Sequence, residues 1–425
     1  MIAEFLVAFI FVLSIIMMAY LVRHFVFSLT VLGILRRKEL PAPKNIAYEP
    51  AVTVLIPAHN EQRVIGRILQ RMTELTYPEN KMQIIVIDDA STDDTGKIAE
   101  DYARRYSQIH VLRRSKNVGG KGKASALNSA LGYAQHEIIL CFDADYYPQK
   151  DVVERLVKPF SDPKVGAVQG RVTVLNEPQN IVTRLVTLER IGGYRVDQQA
   201  RESLGLIAQF GGTVGGFRRT LIESLGGWDE SVLAEDTDLT FSVYLAGFRV
   251  QYVLEAECYE EAVETWGAYW KQRYRWAKGH MQCCSKHMFK LFRSKNLSFK
   301  QKIDGLLLLN IYFMPVLAFF LWLSGISLFL LDFPQWINIL WGPVQISLLS
   351  FMGNFAPFFE VGIGAYLDGR KRACWLIPLL IFTFLYNVLI CTKAFFDLIV
   401  SKIFRKKHHS WVKTTHSGNG NCYIL

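Results

Sequence analysis

Residues 138–145 read Ile138-Ile139-Leu140-Cys141-Phe142-Asp143-Ala144-Asp145. An uninterrupted apolar run closes on two carboxylates two positions apart. Strands covered on both faces read as such runs, and in open α/β sheets ligands bind outside the carboxyl ends of the strands. The stretch predicts a central parallel strand that delivers Asp143 and Asp145 to a ligand-binding edge. Carboxylates so placed suit a divalent cation, and the cation suits a diphosphate. Taken alone they read first as a solvated strand end, so the surrounding segments decide.

Upstream, residues 52–57 form a short β-branched run closed by Pro57, and 61–75 carry Val64, Ile65, Ile68, Leu69 and Met72 on one helical stripe. Residues 83–87 predict a second strand ending in Asp88-Asp89-Ala90-Ser91. Thr92, Asp93, Asp94 and Thr95 are suited to cap a helix over 96–105. A third strand follows at 108–113, a basic glycine loop at 119–123, a small-residue helix at 124–134, and the fourth strand at 137–142. Strands alternating with helices predict a doubly wound, mostly parallel sheet. His59-Asn60-Glu61, Asp88-Asp89 and Asp143-x-Asp145 then line one crevice. No phosphate-cradling Gly-x-x-x-x-Gly-Lys-Ser/Thr and no Gly-x-Gly-x-x-Gly follows the first strand, so metal-held diphosphate is the reading that remains.

Downstream, 165–175 reads as a strand and 180–200 as a helix carrying Arg184, Glu189, Arg190 and Arg195. Residues 209–219 are glycine-dense, and glycine lets backbone approach a ligand closely. An acidic segment with Glu235 and Asp236 precedes a helix over 239–246, where Asp236 also suits an N-cap. Residues 265–281 mix Trp266, Tyr269, Gln272, Arg273, Arg275, Trp276 and His280 at helical spacing. Such a helix suits a membrane surface with snorkelling cations, or a sugar-stacking wall with an arginine for phosphate.

The chain is 425 residues long, 51% hydrophobic and 13% aromatic, with a net charge of +10. The apolar content is concentrated at the two ends. Residues 1–22 are long enough to span a bilayer, with only Glu4 charged, and lack the basic start and cleavage site of a signal peptide. Arg36-Arg37-Lys38 then places the next segment on the cytoplasmic side. Apolar stretches recur at 306–331, 336–366 and 374–400. Three crossings would put the basic tail outside, so 374–400, flanked by cations on both sides, is read as the segment that does not cross. The excess charge sits beside apolar segments, which points to anionic lipid and away from nucleic acid. Seven cysteines without metal spacing imply free thiols in a reducing compartment.

The set Asp88-Asp89, Asp143-Ala144-Asp145, Glu235-Asp236 and Gln272-Arg273-Tyr274-Arg275-Trp276, in that order, resembles the processive family-2 membrane glycosyltransferases: cellulose, chitin, hyaluronan and poly-N-acetylglucosamine synthases. The likeness covers about residues 50–290 well and the membrane part only in layout. It implies a nucleotide-sugar-binding α/β domain of GT-A type inserted between transmembrane helices, with interfacial amphipathic helices. The layout is then an N-terminal transmembrane helix (1–35), a cytoplasmic transferase domain (50–260), interfacial helices (261–302), a C-terminal membrane region (303–400) and a basic cytoplasmic tail (401–425).

By the same likeness Glu61, Asp88, Asp89, Lys123 and Arg275 bind a UDP-sugar donor, and Asp143 and Asp145 hold Mg2+ or Mn2+ with the diphosphate. Asp236, beside Glu235, is the general base, while Gly212, Thr213, Gln272 and Trp276 bind the acceptor. The acceptor segment here reads Phe210-Gly211-Gly212-Thr213 where relatives often carry Phe-Cys-Gly-Ser. Trp411, Lys413, Thr414, Thr415 and His416 resemble a gating loop, and equally suit a basic tail. The implied activity is an inverting, processive hexosyltransferase of the plasma membrane, its multi-pass chain aided by a small accessory subunit. It would polymerise UDP-glucose or UDP-N-acetylglucosamine into a secreted β-linked polysaccharide. A non-processive transferase acting on a lipid acceptor uses the same catalytic residues. A channel or scaffold with an inactive domain is disfavoured, because every acidic position is present.

Overall fold

The computed structural model describes residues 2–37, 48–331, 356–404 and Gly418. Its centre is one mixed sheet of eight strands: β1 (Val52–Ala58), β2 (Met82–Asp88), β3 (Ile109–Arg113), β4 (Ile138–Cys141), β5 (Tyr147–Pro148), β6 (Val165–Val174), β7 (Gly215–Arg218) and β8 (Arg249–Glu260). Their spatial order is β3-β2-β1-β4-β7-β6-β8-β5. The first four are parallel, β7 is antiparallel to both β4 and β6, and β8 runs parallel to β6. The parallel half is as expected for apolar runs without alternation, since β2 and β4 are buried along their whole length.

Helices α1 (Ile2–Arg37), α2 (Ile65–Met72), α3 (Thr95–Arg105), α4 (Lys123–Leu131), α5 (Val152–Val157), α6 (Ile181–Arg190), α7 (Gln199–Leu204), α8 (Arg219–Ser224) and α9 (Glu235–Leu245) follow in chain order. The C-terminal part adds α10 (Trp266–Arg293), α11 (Phe299–Leu309), α12 (Met314–Leu330), α13 (Ala356–Leu367) and α14 (Leu380–Ile403). Two cores sandwich the sheet. One unites Val54, Ile84 and Leu140 with Ile68 of α2 and Leu156 of α5, and the other unites Ile85, Ile139 and Phe217 with Leu127 of α4, Phe241 of α9 and Cys283 of α10.

The sequence predicts one helix over 180–200. The structure instead has α6, a π-helical segment Ile191–Gln198 and α7 in one continuous rod. The wider turn spans Gly192-Gly193, where Val361 of α13 comes within 3.1 Å of the place a Gly192 side chain would occupy. A π segment often marks a functional site, and this one carries Tyr194 and Asp197 to the central cavity.

Among the described residues three helices are long and apolar enough to cross a membrane: residues 4–33, 311–330 and 371–403. The N-terminal half of the first leaves Ile2, Phe5, Phe11 and Ile15 exposed. Its C-terminal half is bolted to the rest of the protein, as Arg23 pairs with Asp197, Arg201 pairs with Asp197 and Asp304, and Tyr20 Oη donates to Leu307 O at 3.0 Å. Length and composition admit 371–403 as a span, unlike the expectation for 374–400. Its contacts run side by side with α10, Tyr386 against Trp266, Tyr274 Oη donating to Asp397 at 2.6 Å, and Lys402 Nζ reaching Ser285 Oγ at 3.5 Å. Of the stretch 336–366, only residues from Ala356 onward lie within the described residues.

The antiparallel joint between β4 and β7 leaves no room for a side chain. A Cβ on Gly216 would sit 1.9 Å from Ile139 O, whereas one on Gly267 of α10 would meet nothing within 4 Å. Gly216→Ala is expected to cost about 3 kcal/mol or more by overpacking and to lower the unfolding temperature in detergent by several degrees. Gly267→Ala should leave that temperature unchanged or raise it slightly, as alanine is the better helix former.

Candidate active site

The parallel register sets the site. Ala58 of β1 pairs with Asp88 of β2, and Leu55 pairs with Cys141 of β4, so three strand ends finish side by side. Beyond β1, His59 Nδ1 lies 2.7 Å from Asp89 O, and the Glu61 amide donates to Thr95 Oγ1 at 2.7 Å. Beyond β2, the Asp89 carboxylate accepts from Arg114 Nη1 at 2.5 Å, and Arg114 is itself fixed by Ser125 Oγ and Val118 O. Asp88 does something different. It accepts from Arg113 Nε at 3.2 Å and from the Ser91 amide at 3.0 Å, and it does not line the cavity. Among described residues the non-glycine positions with positive φ are Asn60 (55°), Ala90 (60°) and Val214 (52°), all at these strand ends or in the facing loop. Strained backbone concentrates where a site is pre-shaped.

The glycine segment forms the facing wall. Thr213 Oγ1 accepts from the Asp143 amide at 3.0 Å. Gln169, buried in β6, holds the loop by donating to Thr213 O at 3.1 Å and accepting from the Gly211 amide at 2.6 Å. Gly212 has φ +85°, and a Cβ there would lie 3.3 Å from Asp236 Oδ2. Only glycine lets this strand of backbone lie on the carboxylate. Lys123 Nζ completes the group, 2.5 Å from Asp143 Oδ1 and donating to Gly212 O at 2.8 Å. Burial would drive this ammonium down, but Asp143 and Glu235 outweigh it and hold its pKa above the ordinary lysine value.

Glu235 and Asp236 occupy the first turn of α9. The N-cap position is Ala234, so Asp236 is not the cap that its sequence position also allowed. Its Oδ1 accepts from the Thr237 amide at 2.7 Å. Burial raises both carboxyls, and the Asp236 charge adds to the rise at Glu235, whose pKa is pushed up to about 7. Lys123 and Arg275 oppose the rise at both residues. Glu235 thus titrates near neutrality and Asp236 above the ordinary aspartate range, and a carboxyl raised toward the operating pH suits general-base work.

Helix α10 supplies Gln272, Arg275, Trp276 and His280 to the same cavity. Arg275 forms no ion pair with a described residue, and its Nε is buried without a partner, which leaves its charge for an anionic ligand. Trp276 is already partnered, with the Arg273 and Arg190 guanidiniums 4.3 and 5.1 Å from its ring centroid. Arg273 pairs with Glu189, and Arg190 with Glu260.

The cavity has a volume of about 610 Å³. It brings together Glu61, Asp89, Lys123, Asp143, Asp145, Gly212, Thr213, Glu235, Asp236, Gln272, Arg275 and Trp276. The same cavity is also lined by Tyr312, Leu308, Ile311, Pro315, Phe384, Asn387 and Cys391, contributed by α11, α12, α14 and the turn before α12. Among the described residues no cluster of three metal-ligating side chains exists. Two carboxylates at Asp143 and Asp145, completed by diphosphate oxygens, fit the way Mg2+ is usually held. Trp411, Lys413, Thr414, Thr415 and His416 lie outside the described residues, but the Gly418 amide donates to Glu261 Oε1 at 2.9 Å, and Glu261 lines the cavity.

A family model for glycosyltransferase-like family 2 matches residues 50–279. The chain belongs to this family. It is 31% identical over 378 residues to a beta-monoglucosyldiacylglycerol synthase of Nostoc sp. (strain PCC 7120 / SAG 25.82 / UTEX 2576), covering 87% of this chain and 77% of that protein. It is 39% identical over 253 residues to a probable glycosyltransferase, YdaM, of Bacillus subtilis (strain 168), covering 59% of this chain and 60% of that protein. This match to YdaM therefore spans under two thirds of that relative's length. The fold also matches a solved mannosyltransferase, PcManGT from Pyrobaculum calidifontis, in complex with GDP-Man and Mn2+, with TM-score 0.57, 24% identity, and coverage of 84% of this chain and 98% of that one. The GT-A type expected from the family-2 motifs is the fold found.

The sequence reading did not single out Arg114, Gln169, Glu260 or Tyr312, each of which acts through a tertiary partner with no local pattern. His280 had a signal, since it follows Trp276 by one helical turn on the same face.

The carboxyl pair predicts a pH profile. Burial raises both carboxyls, Glu235 to about 7 and Asp236 above the ordinary aspartate range, so the negative charge of the pair falls as pH drops through neutrality and the base weakens with it. Transfer measured by kcat/KM should fall as pH drops through that region. Glu235→Gln removes the group titrating there, and the acid limb should move to lower pH.

Proposed function

We propose that this family-2 glycosyltransferase moves one sugar from a UDP-sugar to the hydroxyl of a membrane lipid, with inversion at the anomeric carbon. The observation that carries the reading is the continuous cavity. Its polar end holds Lys123, Asp143 and Asp236, and its apolar end is walled by α12 and α14. Those helices expose Trp322, Leu323, Ile326, Phe382 and Leu389 on their outer faces, as helices facing hydrocarbon do. An amphiphile with a hydroxylated head fits this gradient of polarity. The similarity to a beta-monoglucosyldiacylglycerol synthase over most of the chain supports the same reading and favours glucose as the sugar. Trp276 supports it too, because a ring engaged by two arginines is poorly placed to stack a growing glycan. The polysaccharide synthase expected first is therefore set behind its alternative.

In the proposed reaction the donor lies across the ends of β1, β2 and β4, with Glu61 and Asp89 toward the nucleoside. Asp143 and Asp145 hold Mg2+ or Mn2+, which when bound neutralises the diphosphate. Asp236 takes the proton of the acceptor hydroxyl as its oxygen attacks the anomeric carbon. The bond to the diphosphate breaks on the opposite side, and Arg275 and Lys123 stabilise the charge that develops there. An α-linked donor thus yields a β-linked product. A site closed to bulk water strengthens each of these charge interactions.

UDP release by the purified protein in phospholipid vesicles should depend on added diacylglycerol and on a divalent cation, and should stop with chelator. Release that ignores the lipid but rises with added oligosaccharide would contradict the lipid reading. Asp236→Asn should lower turnover by roughly 10²–10⁴-fold, the contribution of a positioned base, with UDP affinity unchanged.

A further inference from the structure

One buried polar group in the cavity has no task in the reaction above. His280 is 8% exposed, and its Nε2 lies 3.0 Å from Thr237 Oγ1. That hydroxyl already accepts a hydrogen bond from Gln209 Nε2 at 3.1 Å. Among the described groups no other acceptor takes that hydroxyl's proton, so we assign it to His280 Nε2 and the imidazole proton to Nδ1. Nδ1 is buried and has no hydrogen-bond partner. Burial pushes the imidazole pKa down to about 4, so the ring stays neutral and Nδ1–H is a fixed donor at physiological pH. A buried donor without an acceptor is costly, and native structures seldom keep one without a use.

The surroundings show what kind of acceptor atom would meet it. The His280 ring lies 4.6 Å from the Tyr312 ring, tilted by 49°, and the Tyr312 hydroxyl bonds to no described residue. Both side chains line the cavity that Asp236 shares with Pro315 and Phe384. Thr237, which holds the ring, directly follows Asp236, the proposed base. A donor here sits where a headgroup oxygen next to the attacking hydroxyl would lie.

We propose that His280, steadied by Thr237 and Tyr312, binds a second oxygen of the lipid headgroup and so selects acceptors that carry one beside the reacting hydroxyl. This rests on the lipid-acceptor reading. An ester carbonyl of a diacylglycerol supplies such an oxygen, and a simple long-chain alcohol does not. No bond to His280 is made or broken, and its contribution is orientation of the nucleophile.

The test compares His280→Phe, which keeps a ring against Tyr312 but has no donor, with His280→Asn, which restores an N–H near the Nδ1 position. With full-length protein in vesicles, His280→Phe should raise the KM for diacylglycerol at least tenfold. The KM for UDP-glucose and the acceptor-independent hydrolysis of UDP-glucose should stay as in the unaltered protein. His280→Asn should recover most of the loss. With a long-chain alcohol as acceptor, the three proteins should behave alike. Unchanged hydrolysis also shows that each variant is folded. An unchanged diacylglycerol KM in His280→Phe, or an equal loss with every acceptor and in hydrolysis, overturns the inference. Failure of the unaltered protein to glycosylate any lipid would instead overturn the reading on which it rests.

Discussion

The register among β1, β2 and β4 is the constraint on which the remaining features depend. Because these strands are parallel and start level, their carboxyl ends open on one edge of the sheet, β4 stopping opposite Leu55 while β1 and β2 run on to Ala58 and Asp88, and each sheds its next residues into one crevice. A one-residue slip of β4 would turn Leu140 and Cys141 to the opposite faces and withdraw Asp143 from Lys123. The register is held from the other side by β7, whose Gly215 and Gly216 lie directly against the backbone of neighbouring strands. The same β7 ends the glycine segment that lays Gly212 on Asp236. Sheet pairing and active-site geometry are thus one problem with one solution.

Charge placement links this site to the apolar helices. The Arg23–Asp197–Arg201–Asp304 cluster joins α1, the π segment, α7 and α11 in a buried setting. Removing one partner of such a cluster strands the others, so it specifies a single arrangement more than it adds stability. Asp197 also lines the cavity, which ties the anchoring helix to the wall of the site. The carboxyl pair at the head of α9 is held by opposite means: burial raises it, and Lys123 and Arg275 oppose the rise.

Much of the fold was legible in the chain. The apolar runs at 83–87 and 138–141 lack alternation, which marks strands covered on both faces, and their acidic ends mark the ligand edge. The motif acids Asp143, Asp145, Glu235 and Asp236 do meet in one cavity with Gln272 and Arg275. Asp88 could not be told from Asp89 by position, because which of two adjacent side chains turns inward depends on where Arg113 and Arg114 fall on the next strand. The role of Trp276 was illegible for a similar reason, since Arg190 reaches it from a helix more than eighty positions earlier. The π segment left only a Gly192-Gly193 pair as a trace. The choice between polymer and lipid was also beyond local motifs. Under the proposed reading it turns on what lines the cavity beyond the carboxylates, and those residues come from α11, α12 and α14, far from the motifs in sequence.

A continuous passage from paired carboxylates to an apolar wall is the central claim, and the size of the product tests it most directly. Mass spectrometry of the product formed from UDP-glucose in diacylglycerol-containing vesicles reads that size. The account predicts a lipid carrying a single β-linked hexose as the dominant species from the earliest turnovers. A ladder of long chains free of lipid would contradict it and return the protein to the polysaccharide synthases.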